Sequence, residues 1–420
     1  MKKKDLVFKL ILPAAALITI SAVLFFYPYP PTQPPLADDQ GATLLGQEKV
    51  VQTNNKFAFD LYADLNQSEG ENMFYSPYSI SSALAMTYEG AQGQTAEEMK
   101  SVFNFPEPEE LRPNFAAVYN QINASHRDYE LKTGNALWTQ HNYPFLAEYL
   151  KKVEDYYGGK AANLDFVQET EKSRQTINSF IAEQTNEKIK DLIPQGFLDS
   201  TTRLVLTNAI YFKGDWEEQF DKKDTQEQDF KISSSTVVKT PMMLLKPEET
   251  EFNYANLPDL QILELPYQGE KISMFVLLPQ EDLTQIEPSL TWEQFKQWQS
   301  QMQKTKMDLI YLPKFKLETK YFLKENLINL GMSAAFNSQL ADFSLMTGAK
   351  DLFIDFVIHQ AFVEVDEKGT EAAAATAVGM KLTAMLPQNI FKADHPFIFI
   401  IQDKTTENIL FLGKLVNPEE

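Results

Sequence analysis

The chain has 420 residues, 44% of them hydrophobic with 30 Phe and 17 Tyr, and a formal net charge of −20. That supplies a sizeable core, and no Gly/Ser linker, repeat or composition shift divides the chain after residue 50, so one large domain is expected. The charge disfavours nucleic acid and polyanion partners, which need clustered Lys and Arg, and the absence of cysteine excludes disulfides, thiol catalysis and Cys-ligated metals.

Lys2, Lys3 and Lys4 precede a charge-free run from Leu10 to Tyr27. Residues 1–27 read as an export segment, either a signal peptide or a signal-anchor. The run is just long enough to span a bilayer, and no small-x-small site closes it. Residues 28–48 read as a Pro-rich linker, stiff and extended from Pro28 to Pro35. The folded domain is expected at 49–420. Its location is expected to be extracytoplasmic, membrane-anchored or secreted.

Lys49 to Leu65 reads as an amphipathic helix with Phe57, Phe59, Leu61 and Leu65 as apolar positions. Ile80 to Tyr88 is a second, buried helix after the Ser76-Pro77 start. Thr95, with Glu98 three residues on, predicts a capping box for a third. Tyr143 to Tyr157 and Glu169 to Ile193 read as helices, with Thr185 and Asn186 interrupting the latter only weakly. Strands are expected at Arg203 to Phe212, Gln261 to Pro266, Ile272 to Leu278, Lys306 to Leu312, Phe362 to Val365, Pro396 to Gln402 and Ile409 to Leu415. Thr291 to Gln303 and Lys320 to Leu330 read as helices between them. Helices first and strands later make an α+β pattern.

The segment from Glu367 to Val378 carries the most information. Four consecutive alanines favour helix, but Gly369 is a flexible point and Thr370, Thr376 and Val378 are β-branched. At period two, Thr370, Ala372, Ala374, Thr376, Val378 and Met380 fall on one uncharged face, while Glu371 and Lys381 fall on the other. That alternation suits a strand with one buried face of small side chains. The segment fits two states, an exposed loop and a strand inserted between existing strands.

Enzyme motifs are scarce. There is no Gly-x-Ser-x-Gly, His-Glu-x-x-His, phosphate-binding Gly-rich loop or dinucleotide fingerprint. The four histidines, His126, His141, His359 and His395, are not spaced as metal ligands on a helix turn. No catalytic activity, cofactor or metal is expected.

The hinge segment resembles the reactive-centre loop of serpins, protease inhibitors that trap their targets by loop insertion. Three further runs carry the resemblance: Asn72 to Ile80 continuing through Ala83–Met86 to Thr95; Asn208-Ala-Ile-Tyr-Phe-Lys-Gly-Asp-Trp216 with Phe220, Thr225 and Phe230; and Phe391-Lys-Ala-Asp-His-Pro-Phe397 followed by Ile398 to Ile401. The C-terminal Phe411 to Pro418 also fits, and the likeness covers roughly residues 50–420. It is closest in type to an inhibitory, exported, prokaryote-like member. It implies a single serpin-like domain of N-terminal helices and large mixed or antiparallel sheets, with a loop over about 367–392.

The resemblance implies a monomeric suicide-substrate inhibitor of serine proteases. A protease forms an acyl-enzyme with the loop, and the freed hinge inserts as a new strand, a mechanism for which serpin insertion is itself the standard example. Glu367, Gly369, Thr370, Glu371, Ala372, Ala374 and Thr376 form the hinge, without proline, charge or bulk on the inserting face. Counting Glu367 as first, the seventeenth residue gives a reactive bond at Thr383-Ala384, suited to elastase-like or subtilisin-like enzymes. Counting back from Pro396 favours Met385-Leu386, suited to chymotrypsin-like ones. Ser76, Ser79, Asn208, His359 and Trp216 are the implied sheet-opening residues, His359 in a buried polar cluster and Trp216 where the loop first enters. Some family members bind heparin-like polyanions through a basic helix. The corresponding region, about Glu107 to Arg127, offers only Arg112, His126 and Arg127, so no such partner is expected. The alternative is a non-inhibitory binding or surface-scaffold protein on the same fold.

Overall fold

The computed structural model describes residues 36–66, 71–124, 129–370 and 388–419. The N-terminal hydrophobic run and residues 371–387, including the expected reactive bond, lie outside them.

Helices dominate the first part. They are α1 (Leu44–Leu65), α2 (Pro77–Tyr88), α3 (Gly93–Phe103), α4 (Pro108–Ile122), α5 (Ala147–Tyr157) and α6 (Thr170–Gln184). The strands between them are β1 (Met73–Tyr75), β2 (Tyr129–Thr133), β3 (Ala136–Gln140) and β4 (Lys160–Leu164). Strands then take over: β5 (Leu204–Thr207), β6 (Ala209–Asp215), β7 (Gln226–Lys231), β8 (Val237–Leu245), β9 (Glu251–Asn256), β10 (Leu260–Pro266) and β11 (Ile272–Pro279). After α7 (Trp292–Gln299) come β12 (Gln303–Lys306), β13 (Leu309–Pro313) and β14 (Phe315–Phe322), then α8 (Lys324–Asn329) and α9 (Ser344–Thr347). The chain closes with β15 (Ile358–Val365), β16 (Gly369–Thr370), β17 (Ile390–Lys392), β18 (Phe397–Asp403) and β19 (Ile409–Leu415).

The fold is α+β, as its helix-then-strand order predicts. A seven-stranded sheet runs β1-β19-β18-β11-β10-β9-β12, and a four-stranded one β17-β13-β8-β7. The central sheet runs β14-β15-β16-β6-β2, and a three-stranded sheet β4-β3-β5 continues it. The joins are Gly134-Asn135, between β2 and β3, and Asn208, between β5 and β6. Strands β11, β18 and β19 are buried along their whole length, so they read as unbroken apolar runs rather than alternating ones.

Several local expectations change. The folded part begins before residue 49. Thr43 caps α1 by accepting the Gly46 N–H at 3.0 Å, and Ala37 is buried against Ala116 and Tyr119. Thr95 does not cap α3: it lies inside the helix, and its hydroxyl accepts the Asp342 N–H at 2.9 Å. Glu98 turns instead to the Ala334 N–H. The helix expected at Glu169 to Ile193 stops at Gln184, because Asn186 and Glu187 both take left-handed φ, 49° and 62°. Lys320 to Phe322 belong to β14, where pairing with β15 overrides helix propensity.

Candidate functional site

The site is a seam in the central sheet between β15 and β6. At one point these strands are direct parallel neighbours, Gln360 opposite Ala209 and Ala361 opposite Ile210. Further along they part, and β16 lies between them, antiparallel to both. Gly369 pairs with Asp215, and Thr370 with Gly214 on one side and Val365 on the other. Gly369 and Thr370 of the hinge segment are therefore strand residues of the intact chain. Gly369 has no room for a side chain, since a Cβ there would meet the Gly214 carbonyl oxygen at 2.0 Å and Asp215 Cα at 2.7 Å.

Thr370 is buried, and its hydroxyl lies 2.8 Å from that of Tyr267. Tyr267 stacks on Trp216, ring centroids 4.5 Å apart and planes 14° off parallel. Trp216 in turn holds the strand's approach: its main-chain N–H donates to Lys368 O at 2.6 Å, and its indole N–H to Asp366 O at 3.1 Å. Glu367 is fastened as well. Its carboxylate takes Lys314 Nζ at 2.8 Å and the Thr225 hydroxyl at 2.9 Å, with only 4% of its side chain exposed. Burial pushes the Glu367 carboxyl up, but Lys314, a main-chain N–H and Thr225 together outweigh it and hold the group below the usual carboxylate range.

The second part of the site sits where the seam is closed. Pro77 starts α2, and Ser76 caps it by accepting the Ser79 N–H at 3.2 Å. The Ser76 hydroxyl donates to Leu410 O at 2.6 Å, and its N–H donates to His359 Nε2 at 3.0 Å. The Ser79 hydroxyl donates to Asn208 Oδ1, and the Asn208 amide donates back to Ser79 O and to Asn135 Oδ1. Because Nε2 of His359 accepts, its proton belongs on Nδ1. That atom is buried and makes no hydrogen bond within the described protein. Burial pushes the imidazole down to about 3, so it is neutral at ordinary pH.

The sequence singled out five sheet-opening residues. Ser76, Ser79, Asn208 and His359 do come together, beside the direct β15–β6 pairing. Trp216 does not join them and lies at the open end with the hinge. Of the hinge residues, Glu367, Gly369 and Thr370 line the seam. Glu371, Ala372, Ala374, Thr376 and the bonds at Thr383-Ala384 and Met385-Leu386 lie outside the described residues. Arg112 is engaged by Glu89 through its Nε at 2.9 Å and its Nη2 at 2.7 Å. Sequence reading missed Tyr267, Lys314, Thr225, Asn135 and Asp308. Each lies far along the chain from the group it serves, and only Thr225 falls within a quoted motif.

At the other end of the loop, Asp308 precedes β13. One carboxylate oxygen accepts the N–H groups of both Gln388 and Asn389, at 2.7 and 2.9 Å. These two hydrogen bonds hold the Asp308 carboxyl below the usual range. Beyond them β17 pairs parallel to β13 over three residues.

A family model described as serpin (serine protease inhibitor) matches residues 52–418. The chain is 40% identical to leukocyte elastase inhibitor A of Rattus norvegicus over 379 residues, covering 88% of this chain and 100% of that protein. Among solved structures, uncleaved ovalbumin superposes with a TM-score of 0.79 at 33% identity, covering 88% of this chain and all of that one. Human thyroxine-binding globulin complexed with thyroxine gives 0.80 at 30%, covering 89% and 100%.

Proposed function

This chain belongs to the serpin family, and we propose that it is an irreversible suicide-substrate inhibitor of serine proteases. The observation that carries the reading is the seating of Gly369 and Thr370 between β15 and β6. The slot is open at the hinge end and closed by the four-residue polar cluster further on. A protease serine attacks the loop's scissile carbonyl, forms an acyl-enzyme and releases a new amino terminus. The hinge then extends along the slot already begun. Roughly 14 residues at about 3.3 Å each would carry the bound protease some 45 Å. The uncleaved fold is a kinetic trap whose persistence is set by rates.

The residues at Thr383-Ala384 favour elastase-like or subtilisin-like targets, whose specificity pockets are shallow. The leukocyte elastase inhibitor likeness supports the same class. Incubating the purified chain with elastase, subtilisin, chymotrypsin and trypsin, followed by denaturing electrophoresis and sequencing of the released peptide, tests this. A covalent complex with elastase or subtilisin and a new N-terminus at Ala384 is expected. A new N-terminus at Leu386 moves the bond to Met385, and cleavage without any complex overturns inhibition.

The likeness to thyroxine-binding globulin favours a second reading, a non-inhibitory binding protein on this fold. The same panel separates the two. For location, we propose export directed by residues 1–27, with a membrane-anchored or released domain. Among the described residues no helix is long and apolar enough to cross a membrane. Fractionation of cells expressing the full chain is the test, and intact protein in the cytoplasm would refute export.

A further inference from the structure

Buried polar groups normally find a hydrogen-bond partner, so a buried group without one raises the question of what else binds it. Three such groups belong to residues that line one small cavity. Asn54 Oδ1, Ser81 Oγ and Asn408 Nδ2 are buried and make no hydrogen bond among the described residues, and all three residues line the same cavity. They come from separate elements: Asn54 from α1, Ser81 from α2 and Asn408 from the turn between β18 and β19. None of the three is more than 5% exposed. Val50, Val51, Phe105, Phe115 and Val118 supply the apolar part of the wall.

The two amides cannot be paired by turning them over. Asn54 Nδ2 donates to Asn408 Oδ1 at 2.6 Å and to Ile409 O at 3.1 Å. Rotating Asn54 would set its oxygen against two acceptors, and rotating Asn408 would set its nitrogen against Asn54 Nδ2. The unpaired ends are therefore an oxygen on Asn54 and a nitrogen on Asn408. The first only accepts and the second only donates, while the Ser81 hydroxyl does either. A cation would be repelled by the Asn408 amide and an anion by the Asn54 oxygen, and none of the lining residues is charged. The cavity, about 10 Å³, is near the least that holds one water. A neutral molecule of that size that donates and accepts at once is water.

We propose that one ordered water occupies this cavity, donating to Asn54 Oδ1, accepting from Asn408 Nδ2 and hydrogen-bonded to Ser81 Oγ. It bridges α1, α2 and the β18–β19 turn. Each unpaired buried group carries a desolvation penalty, and a single molecule relieves three of them. The bridge lies behind the seam. Ser81 follows Ser79 by two residues, about 200° around the helix, so α2 meets Asn208 with one side and the water with the other. Both attachments share a strand: the Ser76 hydroxyl donates to Leu410 O, and Asn54 Nδ2 to the neighbouring Ile409 O.

The proposal needs no inhibitory activity and is tested apart from that reading. A crystal structure of the full chain, at a resolution that orders buried waters, should show one water within about 3.2 Å of all three atoms. No water there, or a water that reaches only one of the three, overturns the proposal. In solution, oxygen-17 relaxation dispersion counts long-held buried waters. The parent should hold one more than Ser81→Val, whose added methyl fills the cavity, and an unchanged count in the folded variant also overturns it. Ser81→Ala covers the case in which valine does not fold. It keeps the space and two of the three partners, so its water should remain but exchange about fivefold faster than the parent's. Equal exchange in parent and alanine variant would show that Ser81 binds no water.

Discussion

The Thr370 hydroxyl lies 2.8 Å from the Tyr267 hydroxyl, and both side chains are buried in the intact chain. The first residue of the inserting face is thus already buried and hydrogen-bonded to the tyrosine that stacks on Trp216. Thr370→Arg would place a guanidinium in this buried position between β15 and β6. A buried unpaired charge costs about 3–5 kcal/mol, enough to drive the hinge out of the slot and slow its return. We expect rapid cleavage with the stoichiometry of inhibition raised about tenfold. Tyr267→Phe removes only the hydroxyl, at a cost of about 1 kcal/mol, and should inhibit nearly as the parent does. Glu371→Arg, on the opposite face of the alternation, should also be mild. Parent-like stoichiometry for Thr370→Arg would show that the hinge does not insert as argued.

Gly369→Ala tests the same end by shape alone. The added Cβ would overlap the Gly214 carbonyl and Asp215 Cα, both backbone atoms that cannot rotate away. Overpacking of this kind costs about 1–3 kcal/mol. The cheaper response is for Gly369 and Thr370 to leave the seam. Hydrogen exchange at the Thr370 amide should rise to that of an open loop. Unchanged protection in the variant would mean that β16 tolerates the methyl and the close approach has little consequence.

Lys314→Met leaves Glu367 buried with the Thr225 hydroxyl as its remaining side-chain partner. Stranding a buried acceptor costs about 1–3 kcal/mol, and the 35% exposure of Lys314 places the loss towards the lower end. The variant should melt lower and unfold at lower urea concentration. Lys314→Arg should restore part of the loss. A melting temperature equal to the parent's would show that the ion pair adds nothing to the hinge.

His359 makes stability depend on acid. Its folded value is pushed down to about 3, against an unfolded value of about 6.5. Between these values the unfolded chain binds a proton that the folded chain does not. Stability from this group is therefore complete above pH 6.5 and falls as pH is lowered towards 3, by at most about 1.4 kcal/mol per pH unit. His359→Gln should flatten this part of the urea-midpoint profile. A parent and variant with parallel profiles from pH 6.5 to 4 would refute the assignment.

Much of the site was legible in the sequence. The period-two pattern after Glu367 announces a strand with a small-residue face; Gly369 and Thr370 lie in a strand, and the rest of that face lies outside the described residues. Ser76-Pro77 announces a helix start, and Ser76 caps α2. Misreadings occurred where a distant partner competes with a local signal. Thr95 has the spacing of a cap, but Asp342 takes its hydroxyl. Lys320 to Phe322 could be helical, but β15 lies alongside to pair with them.

The sequence by itself determined the local events: caps, apolar runs, the hinge alternation and the residue types able to form a polar cluster. These depend on neighbours a few positions away, so their spacing is written along the chain. Only the tertiary structure decided which groups meet. Ser79 reaches Asn208 across 129 residues and Ser76 reaches His359 across 283. Trp216, eight residues after Asn208, is carried along β6 to the opposite end of the seam. A strand advances about 3.3 Å per residue, so two residues of one motif can serve different ends of a sheet. Whether Glu367 finds Lys314, or Gln388 finds Asp308, depends on which strands the topology sets side by side, and that adjacency is encoded by no local pattern.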